Sequence, residues 1–194
     1  VKDTSKKIYT LTEHGKMSKR YFNTIDPEKI CDSYGADTLR CYEMFLGPIE
    51  EHKPWNVNGI SGVFGFLKKT WALFHNAKQI EQTKEELKIL HKTIKKVTED
   101  IEKHSFNTVI STFMIAVNEW NKLPEISLKT MEIFTVLLSP FAPHISEEFW
   151  TKFGHEGTVS LAPWPIFDPS FFEESSYEYP ISFNGKMRYK LGLS

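Results

Sequence analysis

The sequence predicts a mainly α fold: an antiparallel helical bundle, preceded by a small segment of short helices and followed by a C-terminal β-hairpin. Three observations carry that prediction. Apolar residues recur at helical spacing from Gly59 to Gly154. The connections between the periodic stretches are short, as between antiparallel neighbours. Asn184-Gly185, the pair that suits a type I′ turn, sits between two strand-like runs.

Each element has its own warrant. Residues 1–24 are loop-like and basic, with Lys2, Lys6, Lys7, Lys16, Lys19 and Arg20 against Asp3 and Glu13. Ile8, Thr10 and Leu11 favour a short strand over 7–11. Asp26-Pro27-Glu28 opens a helix, because Asp caps free amides, Pro presets φ and Glu complements the positive end of the dipole. Gly35 stops it, and a second short helix runs from about Asp37 to Leu46, ended by Gly47-Pro48. A connector with Pro48 and Pro54 leads to Asn58.

The first bundle helix is expected from Gly59 to about Gln79, with Ile60, Val63, Phe64, Leu67, Trp71 and Phe74 on its core face. Leu87, Leu90, Ile94, Val97 and Ile101 form the seam of the next. Around that seam Lys84, Lys88, Lys92, Lys95 and Lys96 alternate with Glu85, Glu86, Glu99 and Asp100, which reads as a solvated face. A helix from about Asn107 to Lys122 buries Val109, Ile110, Phe113, Met114 and Val117. Another starts near Ser127 and shows Met131, Phe134, Leu137 and Leu138 before Pro140. The last begins at Pro143, turns Ile145, Phe149 and Phe153 inward and stops at Gly154; His144 at its start reads as structural. Pro163, Pro165, Pro169 and Pro180 make 155–180 an irregular linker packed on the bundle. The expected division is 1–58, 59–154, 155–180 and 181–194, the last being the start of a further, truncated domain.

Composition excludes several classes. At 194 residues, 40% hydrophobic and 25% charged, the chain is an ordinary globular one, neither wholly disordered nor collagen-like. Lys and Arg number 24 against 25 Asp and Glu, so the net charge is −1 and any binding of nucleic acid must rest on local patches. Cys31 and Cys41 form no CxxC, so neither a disulfide framework nor a zinc site is expected, and both read as small apolar fillers. No apolar run reaches the roughly 18 residues of a membrane span. Val1 opens the chain without Met or a signal-peptide pattern, and the end at Leu193-Ser194 falls inside a strand-like run. The expectation is an excised piece of a larger cytoplasmic protein.

One segment carries chemistry. In Gly15-Lys16-Met17-Ser18-Lys19-Arg20, two ammonium groups stand three residues apart on a short loop with a Gly hinge. Such a loop can swing point charges onto a polyphosphate; taken alone it also reads as a solvated basic loop. A P-loop is excluded, because Thr10 and Met17 occupy positions that need Gly and Ser or Thr. The loop is followed by Asn23, by Ile25-Asp26-Pro27-Glu28 and by Tyr34-Gly35-Ala36-Asp37-Thr38-Leu39-Arg40. This run resembles the KMSKS signature loop of class I aminoacyl-tRNA synthetases with its stem-contact segment. Tyr42-Glu43-Met44-Phe45-Leu46-Gly47-Pro48 and Lys53-Pro54-Trp55-Asn56 look like the leucyl branch of that family. Leu138-Ser139-Pro140-Phe141-Ala142-Pro143-His144-Ile145-Ser146-Glu147-Glu148 resembles the late helix of the anticodon-binding bundle, and Asn184-Gly185-Lys186-Met187-Arg188 the opening hairpin of the leucyl branch's C-terminal domain.

The resemblance implies the class I anticodon-binding fold and an intact enzyme that activates leucine with ATP, bound with magnesium, and transfers it to tRNA(Leu). Lys16 and Lys19 would be catalytic, stabilising the pyrophosphate, and Lys16, Met17, Ser18 and Lys19 would contact ATP. Arg20 stands where the motif usually ends in Ser. None of the seven His is followed by x-Gly-His, so the family's HIGH signature is missing from this chain. The nucleotide-binding and editing domains are therefore expected upstream, and the chain alone is expected to be inactive. Local cations that could meet tRNA are Lys68, Lys69, Lys186, Arg188 and Lys190, with His75 and Lys78 as exposed candidates. Two alternatives stand beside this reading. One is the same region of an isoleucyl, valyl or methionyl enzyme; the other is a non-enzymatic helical RNA-binding module.

Overall fold

A computed structural model describes residues 15–172 except 54, 57 and 58, together with the backbone of two strands over 177–183 and 186–193. The strand expected over 7–11 lies outside the described residues.

Helix α1, Pro27–Tyr34, begins as its sequence dictates: the Asp26 side chain accepts from the Glu28 N–H at 3.1 Å, and Pro27 fills the first helical position. Gly35, at φ +86°, ends it and lets the chain turn directly into α2, Ala36–Phe45. Four longer helices follow, α3 Ile60–Asn76, α4 Lys84–Glu102, α5 Phe106–Trp120 and α6 Leu128–Leu138, and then a shorter α7, Pro143–Lys152. Gly59, just before α3, has a packing reason: a Cβ there would lie 2.9 Å from the Tyr42 ring. The Tyr42 hydroxyl donates to the Asn56 carbonyl, which fixes the connector against α2.

The core lies among α3 to α7. Val63, Leu90, Val97, Val109, Ile110, Phe113, Val117, Met131, Phe134, Leu137, Leu138 and Phe149 are fully buried. Its aromatic rings meet edge to face, Phe113 on Phe134 at 5.4 Å and Trp120 on Phe134 at 5.1 Å, while Phe74 stacks on Phe149 at 4.0 Å. The strands β1, Tyr177–Phe183, and β2, Lys186–Leu193, pair antiparallel from Tyr177↔Leu193 to Phe183↔Lys186, with an irregularity between Ile181 and Ser182. The expected Asn184-Gly185 turn falls outside the described residues.

Four expectations need correction. First, α3 stops at Asn76 rather than near Gln79, because Ala77 turns extended and Lys78 bonds the chain ahead of α6. Its N–H donates to the Ile126 carbonyl at 2.9 Å, and its carbonyl accepts from Leu128 at 2.8 Å. Second, the buried stripe of α3 runs through Phe66, Leu67, Thr70, Leu73 and Phe74, whereas Phe64 is half-buried and Trp71 is 40% exposed. The helix is apolar on two adjoining stripes, and its neighbours choose between them. Third, Glu86 and Asp100 are not on a solvated face. Glu86 is 0% and Asp100 3% exposed. Glu86 closes a capping box with Thr83 and accepts from the Ser127 N–H at 2.8 Å, while Asp100 accepts from the Thr108 hydroxyl at 2.6 Å and pairs with Lys96. Both carboxylates tie α4 to its neighbours. Fourth, Met114, expected inside, is half-buried, and Ala116 and Trp120 take the inner face of α5 with the expected residues.

Candidate functional site

The loop that carries the two lysines is a preformed turn. Residues Lys19–Tyr21 make one turn of 3-10 helix capped by Ser18, whose hydroxyl accepts from the Arg20 N–H at 3.3 Å. The Ser18 N–H donates to Asn23 Oδ1 at 2.8 Å, and the Phe22 N–H to the Lys19 carbonyl at 3.2 Å, closing the turn. Phe22 takes the left-handed region at φ 55°, an unusual conformation for a bulky residue. Lys16, Met17, Lys19 and Arg20 all face solvent, and neither Lys16 nor Lys19 has an ion pair among the described residues. What the arrangement can do chemically is present two free ammonium groups on a fixed turn. Such groups complement negative charge that has several oxygens.

Behind the loop, α1 and α2 form the stem that connects it to the bundle. Here the two best-marked stretches of the sequence meet in space. Asp37 on α2 receives the Ile145 N–H at 2.7 Å and the His144 N–H at 3.2 Å, so its carboxylate caps the free amides at the start of α7. His144 Nδ1 lies 2.7 Å from the same carboxylate. One turn on, Arg40 donates to the Pro140 carbonyl at 3.0 Å and the Phe141 carbonyl at 3.3 Å, closing the corner at the end of α6. Cys41, fully buried between them, donates to the Phe141 carbonyl at 3.6 Å, and burial pushes its thiol up to about 12. Cys41 is thus an inert filler here.

Other expected residues sit elsewhere. Lys68 and Lys69 are exposed on α3; Lys68 lies 4.5 Å above the Phe64 ring, and Lys69 donates to Asn118 on α5 at 2.9 Å. Lys78 pairs with Glu125, and the His75 ring bonds the Trp71 carbonyl. Lys186, Arg188 and Lys190 fall on β2, whose side chains lie outside the described residues. Asp37 and Arg40 lie within the loop-and-stem motif, but the sequence gives them no task, because their partners are backbone atoms about a hundred residues away. Among the described residues no group of three or more His, Cys, Asp or Glu is placed to hold a metal ion.

The model for the anticodon-binding domain of tRNA ligase matches residues 83–194, more than half the chain. The chain belongs to this family. Over 94% of its length, this anticodon-binding domain chain is 54% identical to a leucine–tRNA ligase of Cytophaga hutchinsonii, and over 91% it is 50% identical to that of Bacteroides thetaiotaomicron. It spans about a fifth of the length of these curated relatives, 20% and 19%. Among solved structures, the ternary complex of Agrobacterium radiobacter K84 agnB2 LeuRS with tRNA and LeuAMS matches at 28% identity and a TM-score of 0.74. That match covers 92% of the anticodon-binding domain chain and 26% of the LeuRS chain.

Proposed function

We propose that this chain is part of a leucine–tRNA ligase, where it supplies the KMSKS-like loop to leucine activation and a helical docking surface to tRNA(Leu). The observation that carries the proposal is the 54% identity to a leucine–tRNA ligase across 94% of the chain, loop included. The expected division at 58, 154 and 180 stays part of the reading, with the strands leading into a further domain. In activation, leucine carboxylate displaces pyrophosphate from ATP, and negative charge grows on the departing phosphates. Lys16 and Lys19, held outward on the capped turn, would neutralise that charge, and Met17 and Ser18 would line the same contact. Magnesium would arrive on the nucleotide, since ATP and leucine bind a pocket expected upstream. Asp37 and Arg40 would act as positioning residues that hold the stem, and through it the loop, at a fixed place on the bundle.

Leucine-dependent ATP–pyrophosphate exchange tests this in the full-length protein. Activity with leucine above isoleucine, valine and methionine is expected, and Lys19→Ala should lower it by roughly 10²-fold or more, the scale of one lost preorganised charge contact. Leucine affinity, measured by equilibrium titration, should hardly move, because the lysine addresses phosphate. The 194-residue chain alone should support no exchange. A preference for another amino acid, or equal loss of leucine binding in Lys19→Ala, overturns the reading.

A further inference from the structure

A cavity of about 480 Å³ opens where the stem meets the bundle, within the range of small-molecule sites. Its walls are apolar: Met44 of α2, Ile101 of α4, Phe106 of α5, Phe141 at the α6–α7 corner, and Trp164 from the segment after α7. The Trp164 wall is pinned, for its indole N–H donates to the Thr98 hydroxyl at 2.9 Å. The charges in the lining are unequal, two carboxylates against one guanidinium. The Arg40 guanidinium is committed to the Pro140 and Phe141 carbonyls, whereas the carboxylates of Glu43 and Glu102, which also line the cavity, have no cation partner among the described residues. We propose that this cavity is a binding site for a small organic cation, an apolar aromatic or alkyl amine.

The chemistry follows from the lining. The apolar body of the ligand fills a space bounded by three aromatic rings, and its ammonium group faces the two carboxylates. An anion of the same shape meets two like charges against one guanidinium already engaged by two backbone carbonyls. That balance favours a cation over a phosphate or a nucleotide, and the lining shares no residue with the lysine loop. Because the walls come from α2, α4, α5 and the corner, an occupant also braces the joint between stem and bundle.

Calorimetric titration of the protein with 4-phenylbutylamine at neutral pH, set against 4-phenylbutanoate, provides the test. The amine should bind with one site per chain and the carboxylate at least about tenfold more weakly. Glu43 and Glu102 are exposed, so the double variant Glu43→Gln/Glu102→Gln should keep its fold by circular dichroism. It should lose about tenfold in amine affinity and gain in carboxylate affinity, since the like charges are gone. Crosspeaks of the Trp164 indole should shift on adding amine to the parent protein. Absence of binding at millimolar amine, equal affinity for the two ligands, or unchanged affinity in the folded double variant overturns the proposal.

Discussion

Glu86 stands fully buried at the start of α4, each carboxylate oxygen taking a backbone N–H, one from Thr83 and one from Ser127. Glu86→Gln is nearly the same shape but puts an amide N–H₂ against one of those donors. The unsatisfied pair should cost about 1–3 kcal/mol of stability in urea unfolding, whereas Glu85→Gln, one position away and exposed, should stay within about 0.5 kcal/mol. A shift of equal size in both variants would mean that net charge, not the buried contact, is responsible. This residue also marks a limit of reading side chains from sequence. Thr83-Lys84-Glu85-Glu86 carries the capping-box spacing, a local signal, but the partner that buries Glu86 is the backbone of Ser127. Lysine periodicity around it pointed to solvent. Lys16 and Lys19, by contrast, were legible, because a short loop exposes its charges whatever the rest of the chain does.

Helices were the most legible elements, since their caps are local: Asp26, Thr83 and Ser127 accept from amides of the helices that they precede. What periodicity left open was the rotation of α3, whose two apolar stripes need a neighbour to choose between them. The prolines after α7 mark a linker on the bundle, but periodicity says nothing of its contacts, because each is made by one side chain. His91 on α4 is such a contact. Its Nδ1 accepts the Asp168 N–H at 3.1 Å, and its ring stacks on Phe171 at 4.4 Å. Burial lowers its pKa from the ordinary 6.5, against the opposing pull of Asp168. A depressed folded value means that the unfolded chain takes the proton first. The contribution of His91 is therefore complete above about pH 6.5 and is lost as the pH falls through the folded value. Urea unfolding at pH 7.5 and 5.5 should show the gap in stability between parent and His91→Phe narrowing at the lower pH. A gap that widens on acidification would mean that the protonated ring is the one bound.

For the whole molecule, on the proposed function, the net charge of −1 and the scattered lysines would limit how tRNA is held. If about three phosphates are contacted, affinity should fall roughly twenty- to fortyfold between 50 and 200 mM salt. Replacing the anticodon of leucine tRNA should change it little, because the proposed contacts are lysines and arginines that meet phosphate rather than bases. A tenfold preference for the native anticodon at high salt, about 1.4 kcal/mol, would require base contacts that this reading lacks. Stem and bundle are held together by the clamp of Asp37 and Arg40 on the α6–α7 corner, and that clamp has a kinetic consequence. It closes a loop of chain whose ends are 101 residues apart, from Arg40 to Phe141. Such closure costs on the order of 4 kcal/mol in chain entropy, whereas α4 and α5 meet through the turn at 103–105. Local pairing should therefore precede the clamp, which forms on the native side of the folding barrier. Arg40→Ala should leave the refolding rate unchanged and speed unfolding roughly tenfold in stopped-flow experiments; slower refolding would put the clamp in the nucleus. The contact that joins the lysine loop's support to the bundle is then the last to form and the first to open.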